Sequence, residues 1–478
     1  MRTRHILDYA FYAKSIAVVG ASDQPFSFGY HFLRHLLDDR FKGAIYPVNP
    51  QKAVVQGLKA YPSLSEIPGE IDYVICCVPT SKVLSLLDEC SHKKVRLVHL
   101  FTARLSETGR PEASALEKLI LDRARELGIK LIGPNCMGVY SPQTGISFGY
   151  GLPAEKGNIG VVSQTGGGAT VLIEYCALLG LRFSKVVSYG NALDIDESDI
   201  IDYLASDEDT GLIAGYFEGV KDGAKFIRSL KNASTRKPVI VIKGGKGKSG
   251  SRAVSSHTAA IAGSRDLWQI AFKQAGAIEV DSLEEMANLL TLFSYLPRVS
   301  GNRAAIMGGG GGKCVISADL AEDNGLVLPA LSQGLRVKLK GLVPDLWDWL
   351  GNPVDFSIWG DSAGKTVEIP NLFVESPDYD FLIIQISVDN PLDDEWWVNI
   401  VKMSADSIIG LSGKKLKPVV AVLSGAKPGY RDLENVRWRT LMEVRTSLIN
   451  AGVPTFDTMA EAARAMNLYI SYWRRKAI

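Results

Sequence analysis

One pattern runs the length of the chain: short β-branched runs, each followed by a longer segment with apolar residues at helical spacing. KSIAVVG (14–20), GAIYPV (43–48), YVICCV (73–78) and VRLVHLF (95–101) read as strands, with FGYHFLRHLLDDR and SKVLSLLDEC as amphipathic helices among them. Strands alternating with helices in this way build parallel sheets covered on both faces. An α/β fold is therefore predicted. A second series, IGVVS (159–163), SKVVSY (184–189), LIAGYF (212–217) and PVIVI (238–242), closes near SYLPRVSGN at 294–302. A third opens on RAAIMGGGGG and continues through FLIIQIS and PVVAVLS. The expected division is 1–145, 146–300 and 301–478, consistent with 478 residues being too many for one core.

Charge excludes two partner classes. Lys plus Arg total 53 against 52 Asp plus Glu, so no global field attracts nucleic acid or an anionic membrane. No apolar run reaches the roughly 18 residues of a membrane span. The N-terminal MRTRHILDYAFYAKS is broken by charge, unlike a secretory signal. Six scattered cysteines form no CxxC pair and have no histidines at metal-ligand spacing. A cytoplasmic protein without a metal site is expected. His31 and His35, spaced i, i+4 with no Glu after the first, read as a helix surface, and the acidic run 194–209 as a solvated helix with its cap.

The first βα turn, VVGASDQPFSFG (18–29), brings Gly20, Ala21, Ser22, Ser27 and Gly29 to a helix start, where bare N–H groups and the helix dipole suit a nucleotide phosphate. Phosphate binding and a purely structural tight turn are both open on this stretch. The acidic residue expected to hold an NAD ribose is replaced by YPVNP (46–50), which disfavours a nicotinamide cofactor. KGGKGKS (243–249) and GGGGGKC (308–314) imitate a P-loop but lack its leading glycine, and the second also lacks its Ser or Thr. SQTGGG (163–168) offers side-chain donors from Ser163, Gln164 and Thr165, and bare N–H groups from Gly166 onward; an N-cap with a glycine spacer explains it too. Glu218 ends the strand LIAGYF, where open α/β sheets place functional groups. His257, in SRAVSSHTAAIAG (251–263), has no bulky neighbours that would make it a packed core ring. A neutral imidazole can attack phosphorus when a carboxylate holds its other nitrogen and N–H donors surround the phosphoryl group.

These residues resemble the α subunit of ADP-forming acyl-CoA synthetases, in the succinyl-CoA synthetase superfamily. IAVVGAS, IYPVNP, CVPT, GPNCMGV, VVSQTGGG, SYGNALDIDESDIIDYL, YFEGVKDG, KPVIVIKGG and SSHTAAIAGS carry the resemblance over the first 300 residues, with GGGGGKCVISADLAEDNGLVL and NPVDF beyond. The resemblance implies a Rossmann-like CoA-binding domain followed by two flavodoxin-like doubly wound domains. It implies a phosphohistidine on His257 supported by Glu218, CoA contacts at Gly20, Ser22, Ser27, Pro47, Asn49 and Pro79, and Asn135 near the CoA thiol. Ser163, Gln164, Thr165 and Gly166 would cradle the phosphoryl group. The implied reaction interconverts acyl-CoA, phosphate and ADP with acid, CoA and ATP. ATP or ADP and Mg2+ would bind an ATP-grasp β subunit in an α2β2-type hetero-oligomer. SQTGGGA stands where the family usually reads SQSGALG, and FTARLSETG where it reads SAGF, which implies an altered acid pocket. Two other classes share such a scaffold: a non-catalytic CoA-binding regulatory subunit, and an acyl-CoA-dependent lyase or transferase. Trp347, Trp349, Trp359, Trp396 and Trp397 read as core or interface packing, with an aromatic-acid pocket as the alternative.

Overall fold

The structure is a computed structural model that describes residues 4–39, 41–250, 265–357, 363–387, 393–424 and 434–476. The chain divides into two compact units, Met1–Met286 and Ala287–Ile478.

The first unit holds two main sheets. In the first, β1 (Ser15–Val19), β2 (Ala44–Val48), β5 (Tyr73–Cys76), β6 (Leu97–Leu100) and β7 (Lys130–Ile132) run parallel in the order β2-β1-β5-β6-β7, while β3 (Val54–Val55) and β4 (Leu58–Lys59) pair as a small antiparallel ribbon. Every residue of β1, β5 and β6 is buried, as strands covered on both faces require. Neighbours of β1 lie on opposite sides in opposite chain directions, so a crevice opens at the carboxyl ends of β1 and β5.

The second sheet orders β8 (Gly138–Tyr140), β9 (Lys156–Ser163), β10 (Phe183–Ser188), β11 (Leu212–Phe217), β12 (Val239–Lys243) and β13 (Ile278–Glu279) as β13-β12-β11-β9-β10-β8. All pairs are parallel except β8 with β10. Its switch point lies between β9 and β11, and register aligns Ser163 with Tyr216 and Phe217 with Lys243. Phe217 stacks edge-on against Phe226 at 5.0 Å, which meets Trp268 at 5.7 Å, anchoring the end of β11 under the helices Gly223–Arg236 and Arg265–Ala275. Each such pair adds roughly 0.5–1.5 kcal/mol beyond its burial.

In the second unit β14 (Ala304–Met307), β15 (Phe381–Ser387), β16 (Val419–Ser424) and β17 (Thr455–Phe456) are parallel and adjacent in chain order. Trp397 is buried in its core and donates Nε1–H to the Ser387 carbonyl at 2.9 Å; Trp347 is partly buried against that core. Trp349 and Trp396 are 67% and 59% exposed, so they are not core residues, and Trp359 lies outside the described residues.

Two local expectations change. The acidic run does carry a helix cap, for Asp196 accepts from the Ser198 and Asp199 amides at 2.9 and 3.0 Å while Asp199 accepts from the Asp196 amide. That helix is not solvated: Glu197, Ser198, Ile200, Ile201 and Leu204 are buried. His35 is likewise buried rather than on a helix surface, its ring 4.2 Å from that of Tyr150. No described helix is long and apolar enough to cross a membrane, and no metal-ligating cluster occurs among the described residues.

Candidate active site

The first crevice is shaped by missing side chains. Gly20 has φ +89°, and a Cβ there would stand 3.1 Å from the Cys77 carbonyl carbon; a Cβ on Gly29 would lie 1.9 Å from the Gly20 oxygen. Only glycine lets strand, turn and helix start approach this closely. The Gly20 and Ala21 amides both donate to the Val48 carbonyl, so the turn is tied to the end of β2. Ser22 Oγ accepts from the Gln24 amide at 3.0 Å, and Ser27 Oγ caps the helix Phe28–Asp38 by accepting from the Tyr30 amide at 3.3 Å. Asn49 Nδ2 donates to the Ala21 carbonyl at 2.9 Å, Pro47 pairs with Val18 in register, and Pro79 follows β5. The one acid in the turn, Asp23, is bound by Lys52 at 2.6 Å and by the Gln56 amide, which hold its carboxyl below the usual range. Its charge is compensated, so the turn can receive an anion.

A rail of backbone contacts leads from this crevice to the next. Thr102 Oγ1 donates to the Val78 carbonyl at 2.7 Å, and the Thr102 carbonyl accepts from the Asn135 amide at 3.1 Å. Asn135 has φ +57°, a conformation its short polar side chain tolerates. The Asn191 and Leu193 amides donate to the Pro134 and Gly133 carbonyls at 3.0 and 2.8 Å, and the Met137 amide donates to Ser188 Oγ at 3.2 Å. A Cβ on Gly190 would strike the Pro134 oxygen at 2.3 Å, and one on Gly166 the Met137 side chain at 2.3 Å. The loop 133–137 therefore leaves the first crevice and ends against the start of the helix Gly166–Leu178.

At the second crevice Ser163, Gln164 and Thr165 do not all point donors outward. Ser163 Oγ donates to the Thr165 carbonyl at 2.7 Å, and Thr165 Oγ1 accepts from the Gly168 amide as the N-cap. Gln164 is buried, and its Oε1 accepts from the Glu218 and Gly219 amides at 2.7 and 3.2 Å. What remains for an anion is the pair of first-turn amides at Gly166 and Gly167, which helix geometry leaves without intrahelical acceptors, and the positive helix end. Glu218, whose amide Gln164 holds, is half-buried. The Tyr216 hydroxyl hydrogen-bonds its carboxylate, and burial together with that carboxylate pushes the phenol up to about 12.

Among the predicted residues, Gly20, Ala21, Ser22, Ser27, Gly29, Pro47, Asn49 and Pro79 meet at the first crevice. Ser163, Gln164, Thr165, Gly166 and Glu218 meet at the second, and Asn135 stands on the loop between. His257 lies outside the described residues. Sequence reading missed Tyr216, Lys243 and Asn191. Lys243 Nζ donates to the Glu218 carbonyl at 2.8 Å and to the Gly244 carbonyl. Asn191 Nδ2 donates to Glu107 Oε2 at 2.8 Å, joining the loop after β6 to the loop after β10. A lysine at the end of the fully apolar run VIVI was the one available signal for Lys243.

Comparisons with known proteins match both sheets of the first unit. Residues 14–142 match the model of a CoA binding domain, and 156–293 that of a succinyl-CoA ligase-like flavodoxin domain. The chain is 38% identical over 380 residues to the acetate–CoA ligase [ADP-forming] II subunit alpha of Pyrococcus furiosus, covering 79% of this chain and 82% of that one. It is 34% identical to acetate–CoA ligase [ADP-forming] I of Archaeoglobus fulgidus, across 98% of its own length and 64% of that longer protein. The dinucleotide forming acetyl-coenzyme A synthetase 1 of Ca. Korarchaeum cryptofilum, solved in complex with phosphate and ADP, superposes with a TM-score of 0.82 at 30% identity over 99% of both chains. By sequence over most of its length and by fold over nearly all of it, the chain belongs to the ADP-forming acid–CoA ligase family, as a counterpart of that family's α subunits.

Proposed function

We propose that this chain is the α subunit of an ADP-forming acyl-CoA synthetase, converting acyl-CoA, phosphate and ADP into carboxylic acid, CoA and ATP, reversibly. CoA binds the first crevice, its phosphates on the Gly20–Ser27 turn and its thiol end near Asn135. Phosphate attacks the thioester carbonyl, the C–S bond breaks, and CoA leaves as the thiol with an acyl phosphate remaining. The imidazole of His257 then attacks phosphorus, the P–O bond to the acyl group breaks, and the carboxylate departs. Glu218 orients the imidazole and stabilises its positive charge, while the Gly166 and Gly167 amides and the helix dipole receive the phosphoryl oxygens. Phosphohistidine finally transfers its phosphoryl group to ADP. The nucleotide and its Mg2+ belong to an ATP-grasp β subunit in an α2β2-type assembly. Functional divisions near 145 and 300 and a cytoplasmic location complete the reading, the latter supported by six free thiols.

The observation that carries this reading is the loop 133–137, which runs from the crevice of the first sheet to the helix start at Gly166 in the second. A thioester delivered along it would end where an anion-binding helix end and a carboxylate are already assembled. The test is phosphoryl labelling. Mixed with its β partner and γ-labelled ATP, the chain is expected to acquire an acid-labile, base-stable label that His257→Ala abolishes. A partner complex that binds nucleotide yet leaves the chain unlabelled would overturn the reading.

A further inference from the structure

Lys243 is an unusual residue for its position. It ends β12, is buried, and donates to two backbone carbonyls, those of Glu218 and Gly244, rather than to a carboxylate among the described residues. The face of Trp268 closes it on another side, 5.1 Å from Nζ to the ring centroid. Burial holds the ammonium below the usual lysine range, and the nearby Glu218 carboxylate opposes that shift. A buried cation is costly unless its hydrogens are used.

The acceptors show how they are used. Glu218 is gripped at both of its backbone groups: its N–H by Gln164 Oε1, one residue past β9, at 2.7 Å, its C=O by Lys243 Nζ from β12 at 2.8 Å. The same ammonium holds the Gly244 carbonyl, the first residue of the segment that continues toward position 257. Gly244 in turn lies under Tyr216 and Glu218, for a Cβ there would be 2.4 Å from the Tyr216 hydroxyl and 3.3 Å from Glu218 Cγ. One ammonium, with three donors on a compact charge, thus ties two adjacent strand ends together at the carboxylate.

We infer that Lys243 is a positioning residue for Glu218, clamping the Glu218 and Gly244 carbonyls so that the Glu218 carboxylate is held in one geometry. This rests on the proposed phosphohistidine chemistry. Lys243 touches no reacting atom and acts through Glu218.

The experiment reconstitutes the full chain with its β partner and measures, by rapid quench, the rate of label transfer from ATP, together with kcat and the KM for CoA. Lys243→Met is expected to slow labelling and kcat about 10- to 100-fold, the scale of an ångström-level misplacement, with the KM for CoA unchanged. Lys243→Arg, which keeps charge and donors, is expected to recover a substantial part of the loss. Lys243→Met combined with Glu218→Gln is expected to be no slower than Glu218→Gln alone, since one residue acts through the other. Equal losses in the Met and Arg variants, additive losses in the double variant, or unchanged labelling in Lys243→Met would each overturn the inference. If Lys243→Met does not fold, Lys243→Gln is used in its place, expected to label at an intermediate rate; full-rate labelling by it would equally overturn the inference. An unlabelled wild-type complex defeats the phosphohistidine reading itself and this inference with it, whereas a labelled wild type with an indifferent Lys243 variant defeats this inference alone.

Discussion

Gly244 and Gly29 show how a single absent methyl sets each crevice. A Cβ on Gly244 would overlap the Tyr216 hydroxyl, which holds the Glu218 carboxylate. Gly244→Ala is therefore expected to displace that hydroxyl and lower kcat by roughly tenfold or more with CoA affinity retained, measured by steady-state assay and CoA titration. At Gly29 the clash is with backbone, 1.9 Å from the Gly20 oxygen, so no rotamer relieves it. Gly29→Ala should weaken CoA binding at least tenfold in isothermal titration while leaving label transfer from ATP to the second crevice intact. Glu218→Gln keeps the shape of the side chain but loses its charge. CoA binding is expected to be unchanged and phosphorylation slowed; identical phosphorylation kinetics would remove Glu218 from its assigned role.

The helix Glu197–Ser206 illustrates the element scale. Its reciprocal cap uses Asp196 and Asp199, and Lys225 Nζ from the helix Gly223–Arg236 bonds both carboxylates at 2.9 and 2.7 Å. The cap thus satisfies first-turn amides and ties two helices together. Asp196→Ala is expected to cost about 1–2 kcal/mol in urea unfolding, and a loss of a few tenths would mean that Lys225 and Asp199 compensate. Much of this was legible in DIDESDIIDYL, because a cap is a local motif whose partners lie three residues apart. The burial of Glu197 was not legible. Whether a first-turn carboxylate meets water depends on what packs over it, and that is decided far away in the chain.

At the scale of the whole first unit, three buried titratable groups set a pH dependence. Burial pushes His35 and His99 down to about 4 from 6.5, and Glu197 up to about 7 from 4.5. Between pH 4.5 and 6.5 the unfolded chain binds more protons at the two histidines, so their contribution is lost as pH falls. Glu197 acts oppositely: folded, it binds the proton that the unfolded chain releases, so its contribution is lost as pH rises through the same window. Glu197→Gln removes that opposing slope. Its stability is expected to fall more steeply on acidification than that of the wild type, by about 1.4 kcal/mol per pH unit, and to exceed the wild type above pH 7. Parallel pH profiles of the two proteins in chemical denaturation would show that Glu197 titrates normally.

Strands, turn glycines and caps were legible because each depends on residues a few positions apart. YVIC is buried on both faces, VVGAS turns at its glycine, and Ser27 caps the helix that follows it, as local propensity and sterics dictate. The two strand-to-helix turns at the crevices were legible for the same reason. Which side chains serve Glu218 was decided only by tertiary structure. Gln164 is 54 residues from Glu218 and Lys243 is 25, and they meet because β9 and β12 flank β11 in one register. Hydrogen bonds between strand ends depend on sheet order and register, which arise from how the whole sheet buries its apolar faces. Thus Gln164, which reads locally as a phosphate donor, became a strut for the carboxylate, and Lys243, which reads as the end of an apolar strand, became its clamp.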